Sequence, residues 1–264
     1  MAQALNNIGI IGGSGMLGRA ISLALLGAGA RDLWLSNRSG RAAEFDARPE
    51  VTITADNQAL VAASEVVILS LPPAQMQGFT VDARGKLVIS VMAGISAAQI
   101  AAATGSNRVI CAMSSPAAEF GLAYSPWWPS AGVTEADRTR VTAIFEACGK
   151  TDALPDQSQL AIFTALTGPV PGFVAFFAEC MAAYAKGQGV PEATAERAVR
   201  QLFLSAGQML EAGPQSAAEH VQGMVDYAGT TAAGLLAMHE SRIAEDIAAG
   251  LDAAVARTRQ MGEG

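Results

Sequence analysis

The sequence predicts an α/β chain, an N-terminal doubly wound sheet followed by an all-α domain, divided at 1–155 and 156–264. Three observations carry that prediction. An apolar run at 8–11 meets the glycine-rich stretch Gly12-Gly13-Ser14-Gly15-Met16-Leu17-Gly18 and then residues of helical spacing. Short apolar runs at 66–71, 87–91 and 108–112 recur at strand length, as strands of a parallel sheet covered on both faces do. From Gln157 onward such runs stop and long alanine-rich helical stretches replace them.

The first strand, turn and helix carry the most information. Gly13, Gly15 and Gly18 have the G-x-G-x-x-G spacing of a dinucleotide-binding turn. In such a turn the first glycine permits the bend, the second removes the Cβ that would block a pyrophosphate, and the third lets helix and strand pack closely. Phosphate then sits on the unpaired amides of the helix start, here Ser14, Gly15, Met16 and Leu17. A glycine-rich turn without a ligand is the competing reading; the flanking strand and helix favour the nucleotide.

Gly29 can end this helix, and 33–36 forms a second strand that completes a βαβ unit. The residues after that strand choose the nucleotide. A carboxylate there would hydrogen-bond the ribose 2′-hydroxyl of NAD, whereas a cation accommodates the 2′-phosphate of NADP. Asn37, Arg38, Ser39 and Arg41 offer two guanidinium groups and no acid, which favours NADP(H). Read as ordinary solvated residues, the two arginines would leave the choice open.

A short third strand at 51–54 precedes a helix that Asn57 opens, and the central strand at 66–71 is closed by Pro72-Pro73. The next strand ends at Ala93-Gly94, and another at 108–112 leads to Met113-Ser114-Ser115-Pro116. Ligands of open α/β sheets collect beyond the carboxyl ends of the strands. Leu71, Pro72, Ala93, Gly94 and the Met113–Pro116 loop are therefore candidates for the floor of the site, with turn chemistry alone as the alternative. Trp127 and Trp128 beside prolines suit the covering of a sheet end, Thr134 is placed to cap a helix through 148, and 151–154 is expected as a last edge strand.

The helical stretches are 158–166, 171–186, 192–212, 216–225, 231–240 and 243–259. Phe173, Val174, Phe176, Phe177, Met181 and Tyr184 surround much of the second. A helix that is apolar most of the way round must be buried. Its simplest burial is against a second copy of the chain, which makes this a dimerisation domain.

Composition excludes several classes. Of 264 residues 51% are hydrophobic and 16% charged, which suits a folded chain with a sizeable core. A net charge of −7 with no Lys/Arg cluster argues against nucleic acid. Cys111, Cys148 and Cys180 are odd in number and form no C-x-x-C pair, and with two histidines no metal constellation is expected. Cys111 and Cys180 stand in apolar surroundings and are expected to be buried thiols. No apolar run reaches the length of a membrane span and no export segment opens the chain, so a soluble, cytoplasmic protein is expected.

Taken together, several segments resemble the pyrroline-5-carboxylate reductases along nearly the whole chain. They are 13–18, Ser36-Asn37-Arg38-Ser39, Asn57, 66–73, Ser90-Val91-Met92-Ala93-Gly94-Ile95, Ala165-Leu166-Thr167-Gly168, Glu179 and 228–235. The resemblance implies a Rossmann-type N-terminal domain, a helical domain interleaved with a partner subunit, and a cofactor set that includes Asn57. It also implies hydride transfer to a cyclic imine, and a substrate carboxylate held by the helix start at Ala228, Gly229, Thr230 and Thr231. A helix N-terminus flanked by hydroxyls is an anion site that needs no cation. The chain departs from the family at Pro72-Pro73, at the Cys111–Pro116 segment, at 167–173 and at Asp226-Tyr227.

The function expected is an NADPH-dependent reductase acting on a cyclic imine or related C=N or C=O small molecule, as a homodimer. Thr231 or Tyr227 is the candidate proton donor, and His239 suits packing. Two other readings are a deazaflavin-dependent NADP oxidoreductase-like enzyme, suggested by the Gly12–Gly15 loop, and an inactive dimeric nucleotide sensor.

Overall fold

The structure, a computed structural model, describes residues 2–262. The chain divides into two compact units, one running to Pro169 and including the segment from Leu251, the other Val170–Gly250.

In the first unit β1 (Ile8–Ile11) runs into α1 (Met16–Gly27), which ends where Gly29 takes a φ of +98°. There follow β2 (Leu33–Ser36), β3 (Val51–Thr54), α2 (Asn57–Ala63), β4 (Val66–Leu69), β5 (Leu87–Ser90), α3 (Ala97–Thr104) and β6 (Arg108–Ala112). Then come β7 (Ala123–Tyr124), β8 (Trp127–Pro129), α4 (Glu135–Glu146), β9 (Gly149–Lys150) and α5 (Leu160–Leu166). Among the described residues the main sheet has the order β3-β2-β1-β4-β5-β6-β8, parallel throughout except for β8. Strand order reverses at β1, which lies between β2 and β4 with Ile11 level with Ser36 and Leu69. That reversal opens a crevice at the carboxyl ends of β1 and β4.

Alternation along the strands sorts the core into two layers. Ile8, Ile10, Val66, Ile68, Leu87 and Ile89 pack with Ile21 and Leu25 of α1 on one face. Ile11, Val67, Leu69, Val88 and Val109 pack with Leu60 of α2 and Ile100 of α3 on the other. Both faces are covered, so these strands carry apolar side chains toward both layers. Each such fully buried side chain contributes about 1.5–3 kcal/mol.

Thr134 caps α4 as its position predicts: its hydroxyl accepts from the Asp137 amide at 3.2 Å, and the Asp137 carboxylate accepts from the Thr134 amide at 3.0 Å. Asp137 is buried and also takes the Arg108 guanidinium. Burial pushes its carboxyl up, but the hydrogen bonds from Arg108 and Thr134 outweigh this and hold it below the usual carboxylate range.

The edge strand expected at 151–154 is displaced. Pairing occurs earlier, where β9 runs parallel to β7, and Ala153 makes only a single bridge to Trp127. Gly149 lets the two backbones touch, since a Cβ there would overlap the Ala123 carbonyl. Pro155, which has no amide, then ends the pairing. Trp127, 2% exposed, covers this end of the sheet as expected. The first unit also takes in α5 and the end of α10 (Ile243–Gly262), and so extends past the sequence-based division at 155/156.

In the second unit α6 (Gly172–Gly187) packs on α7 (Glu192–Ala212), and α8 (Ala217–Asp226) on α9 (Thr230–His239). Large apolar side chains remain exposed in the single chain, among them Phe176 at 62%, Tyr184 at 72% and Met209 at 61%. An apolar surface of this kind marks an interaction face. Cys180, expected to be buried, is exposed. It lies one helical turn from both Phe176 and Tyr184, on the same outward stripe of α6. Cys111 and Cys148 are buried.

Candidate functional site

The crevice at the strand reversal is built by glycines. Gly12 carries the positive φ of +82° that turns the chain, so the bending glycine is Gly12 and not Gly13. A Cβ on Gly12 would overlap the Ser70 carbonyl at the end of β4, and one on Gly18 would overlap the Gly12 carbonyl. Gly13 is buried, and a Cβ there would come within 2.8 Å of Leu35 Cδ2. The Gly12 and Gly13 amides donate to the Ser36 carbonyl at 3.0 and 3.1 Å. Gly15 is the N-cap of α1, and no side chain caps that helix. The amides of its first turn are thus left for solvent or a ligand.

A cleft of about 760 Å³ opens in front of this turn. It gathers Ser14, Gly15, Asn37, Arg38, Ser39, Arg41, Asn57, Leu71 and Pro72, and no acidic residue lines it. Gly13 and Leu17 turn inward to the core side, and Met16, 77% exposed, stands at the helix start outside the lining. Ala93 and Gly94 line a separate cavity of about 380 Å³ at the ends of β5 and β6.

Asn37 organises the loop after β2. Its Nδ2 donates to Ser14 Oγ at 2.9 Å and to the Arg41 carbonyl at 2.8 Å, while its Oδ1 accepts from the Ser39 amide at 3.1 Å and hydroxyl at 3.0 Å. Ser36, buried at the strand end, donates to Asn57 Oδ1 at 2.6 Å. Among the described residues neither Arg38 nor Arg41 has a carboxylate partner. Arg19 contrasts with them. Its guanidinium is tied to Glu119 at 2.6 Å and Glu44 at 2.8 Å, which raise its pKa further.

Sequence reasoning missed Gln75, Gln77, Gly78 and Phe79, which also line the cleft. Gly78, at a φ of +76°, was the available signal for a turn there. Cys111 lines the smaller cavity, but burial pushes its thiol up to about 12, so it is no nucleophile at neutral pH.

In the second unit Ala228 stands in the left-handed region at a φ of +58°, and Gly229 is the N-cap of α9. The helix therefore begins at Thr230, one residue earlier than its sequence pattern suggests, and the Thr230 hydroxyl does not cap it. Thr230 and Thr231 are exposed, as is Tyr227 at 85%. Asp226 is exposed as well, and its Oδ1 accepts from Gln222 Nε2 at 2.8 Å. Among the described residues no group of His, Cys, Asp and Glu could hold a metal ion, and no helix is long and apolar enough to cross a membrane.

Comparison with known proteins agrees in both halves. Residues 157–261 match the family model for pyrroline-5-carboxylate reductase dimerisation, and residues 7–94 match that for NADP oxidoreductase, coenzyme F420-dependent. The pyrroline-5-carboxylate reductase of Vibrio alginolyticus is 30% identical over 219 residues, 80% of each chain. That of Haemophilus influenzae is 27% identical over 263 residues, 96% of this chain and 97% of the relative. The solved structure of a pyrroline-5-carboxylate reductase from Coxiella burnetii superposes with a TM-score of 0.86 at 24% identity, covering 97% of this chain and 98% of that one. A glycine turn opening on an arginine-bearing loop, a helical half that matches the dimerisation model, and likeness along four fifths of a curated relative converge: the chain belongs to the pyrroline-5-carboxylate reductase family.

Proposed function

We propose that this chain is an NADPH-dependent reductase that transfers hydride to a cyclic imine or a related C=N or C=O carbon, and that it works as a homodimer. The observation that carries the reading is the cleft at the Gly12–Gly18 turn, whose loop presents Arg38 and Arg41, neither with a carboxylate partner among the described residues, and whose lining has no acid. The residues fit a dinucleotide phosphate. The cleft takes backbone where a side chain would intrude, and its only formal charges are positive.

In this reading Ser14, Gly15 and the first-turn amides of Met16 and Leu17 hold the pyrophosphate, with Gly13 keeping the turn close to β2. Asn37 fixes the loop, so that Arg38, Ser39 and Arg41 meet the 2′-phosphate. Asn57, Leu71 and Pro72 frame the nucleoside side, and Ala93 and Gly94 the end that reacts. The bound nicotinamide supplies the hydride, and the protein's own work is to hold the acceptor carbon in attack geometry and exclude water. As hydride adds to the imine carbon, the nitrogen takes a proton and the product is an amine; in this reading Thr231 or Tyr227 relays that proton. The amides and hydroxyls at Gly229, Thr230 and Thr231, following Ala228, bind an anionic group of the substrate without a cation.

The exposed apolar faces of α6 to α9 pair with a second copy of the chain, which also covers Cys180. The functional division follows 1–155 for nucleotide and 156–264 for substrate and partner, except that the end of α10 packs with the nucleotide half. A cytoplasmic small-molecule enzyme fits these features, with no nucleic acid or membrane partner. The match to the F420-dependent model ends at residue 94, so it supports the nucleotide half alone.

The test follows NADPH absorbance on mixing with cyclic imines that carry or lack a carboxylate, in the native chain and in Thr231→Ala. Turnover with at least one imine is expected, reduced in the variant at unchanged nucleotide affinity. Tight NADPH binding without turnover of any acceptor would replace the enzyme by a nucleotide sensor.

A further inference from the structure

The end of the C-terminal helix lies against the turn that closes β5. Gly94 holds a φ of +78°, and a Cβ on it would overlap the Thr258 carbonyl and come within 2.9 Å of the Gly262 amide. A Cβ on Gly262 would overlap the Gly94 carbonyl. The two glycine backbones are therefore in direct contact, which only paired glycines allow. Gln99, at the start of α3, fastens the junction from the other side. Its Nε2 donates to the Gly262 carbonyl at 3.0 Å, and its Oε1 accepts from the Ser96 amide at 2.9 Å. Thr258 is buried, its hydroxyl donating to the Ala254 carbonyl at 2.9 Å.

This junction separates two cavities. On one side lies the 380 Å³ cavity of Met92, Cys111, Gln157 and Leu160, walled by Thr258 and Arg259. On the other is a cleft of about 780 Å³ walled by Arg257, Gln260 and Met261, which shares Pro72, Gln77, Gly78 and Phe79 with the nucleotide cleft. The helix end thus lines both the cavity at the ends of β5 and β6 and the cleft that adjoins the nucleotide crevice, although no residue of α10 lines that crevice itself.

The geometry points to Gly262 and Gln99 as positioning residues: the end of α10 sets the height of the Ala93–Gly94 turn, and through it the seat of the nicotinamide ring. The inference rests on the nucleotide reading above. A helix end that spans two cavities can move this turn without touching the fingerprint glycines, which lie at β1 and α1. Alanine is intrinsically favoured over glycine in a helix, so Gly262→Ala does not weaken α10 as a helix while it forces it off Gly94. Loss of function in that variant reports on the junction rather than on helix stability.

The experiment compares the full chain with Gly262→Ala and Gln99→Ala, using three readouts. Affinity for 2′,5′-ADP probes the phosphate end alone, emission of bound NADPH probes the surroundings of the ring, and kcat with KM is measured on whichever imine the native chain reduces. Both variants are expected to keep 2′,5′-ADP affinity within about twofold, as remote substitutions do, and to lose the emission change on NADPH binding. Where turnover is measurable, kcat falls about ten- to a hundredfold, the size expected for a reactant misplaced by about an ångström. Native emission changes in both variants would overturn the inference, and so would a parallel loss of 2′,5′-ADP affinity, which marks general unfolding. Failure of the native chain to bind NADPH sinks the nucleotide reading itself; binding with an emission change but no imine turnover sinks only the substrate reading and leaves this test intact.

Discussion

Replacing Arg38 and Arg41 together by alanine tests the choice of nucleotide. Neither guanidinium has a carboxylate partner among the described residues, so the double variant breaks no ion pair within the fold. The loop itself stays in place, because its hub is the Asn37 side chain, bonded to Ser14, Ser39 and the Arg41 carbonyl. What the substitution removes is charge in front of a phosphate. A hydrogen bond to a charged group contributes about 1.5–3 kcal/mol, and both arginines are exposed, so solvent screening brings each to about 1–1.5 kcal/mol and the pair to about 2–3 kcal/mol. At 1.4 kcal/mol per factor of ten, NADPH binding should weaken about 30- to 150-fold. NADH, which lacks the 2′-phosphate, should change by no more than about twofold. Titration of both nucleotides into both proteins measures this, at low salt and at about 0.5 M salt, where the NADPH advantage of the native chain should shrink by screening. Equal losses for NADPH and NADH would refute the argument and place the arginines outside the phosphate's reach.

Gly15→Val should abolish nucleotide binding and leave the fold intact: Gly15 stands at a φ of −69°, open to any residue, and a Cβ there meets only the Gly12 carbonyl at 3.2 Å. Full nucleotide affinity in that variant would take the turn out of the site. Asp137→Asn should destabilise the first unit by about 2–3 kcal/mol, since it leaves the partly buried Arg108 without its charge partner. The Asp137 carboxyl is depressed in the fold, so its contribution is complete above the unfolded pKa near 3.8 and is lost as pH falls through the lower folded value. Acid titration of melting temperature should accordingly converge for the two proteins at low pH, and a constant difference would remove the ion pair from the account. Ala228→Gly should raise stability by about 0.5–1 kcal/mol in chemical denaturation, because alanine at a φ of +58° carries a steric cost of about 1–2 kcal/mol that exceeds the roughly 0.4–1 kcal/mol of unfolded-chain entropy glycine adds. An unchanged midpoint would mean that this turn relaxes in solution.

Some of these features stand in the sequence because they depend on neighbours along the chain. The apolar runs had to be covered strands, and Thr134 with Asp137 three residues on had to be a helix start. Arg38 and Arg41 follow β2 directly, so their place at the strand end was equally legible. The part of the cleft lined by Gln77, Gly78 and Phe79 was not, since they reach it through a turn with no periodic signal.

The sequence by itself determined the α/β order, the glycine turn and the apolar surplus of the helical half, since each is written in local spacing and composition. Only the tertiary structure decided that Gly12 makes the bend, because the collision it avoids is with Ser70, far along the chain. It likewise decided that Cys180 faces outward, which depends on how many of α6's sides one chain can cover. The pairing of Gly94 with Gly262 belongs to the same class. Two residues so far apart in sequence have no shared pattern, and their contact exists only once the last helix has folded back on the sheet.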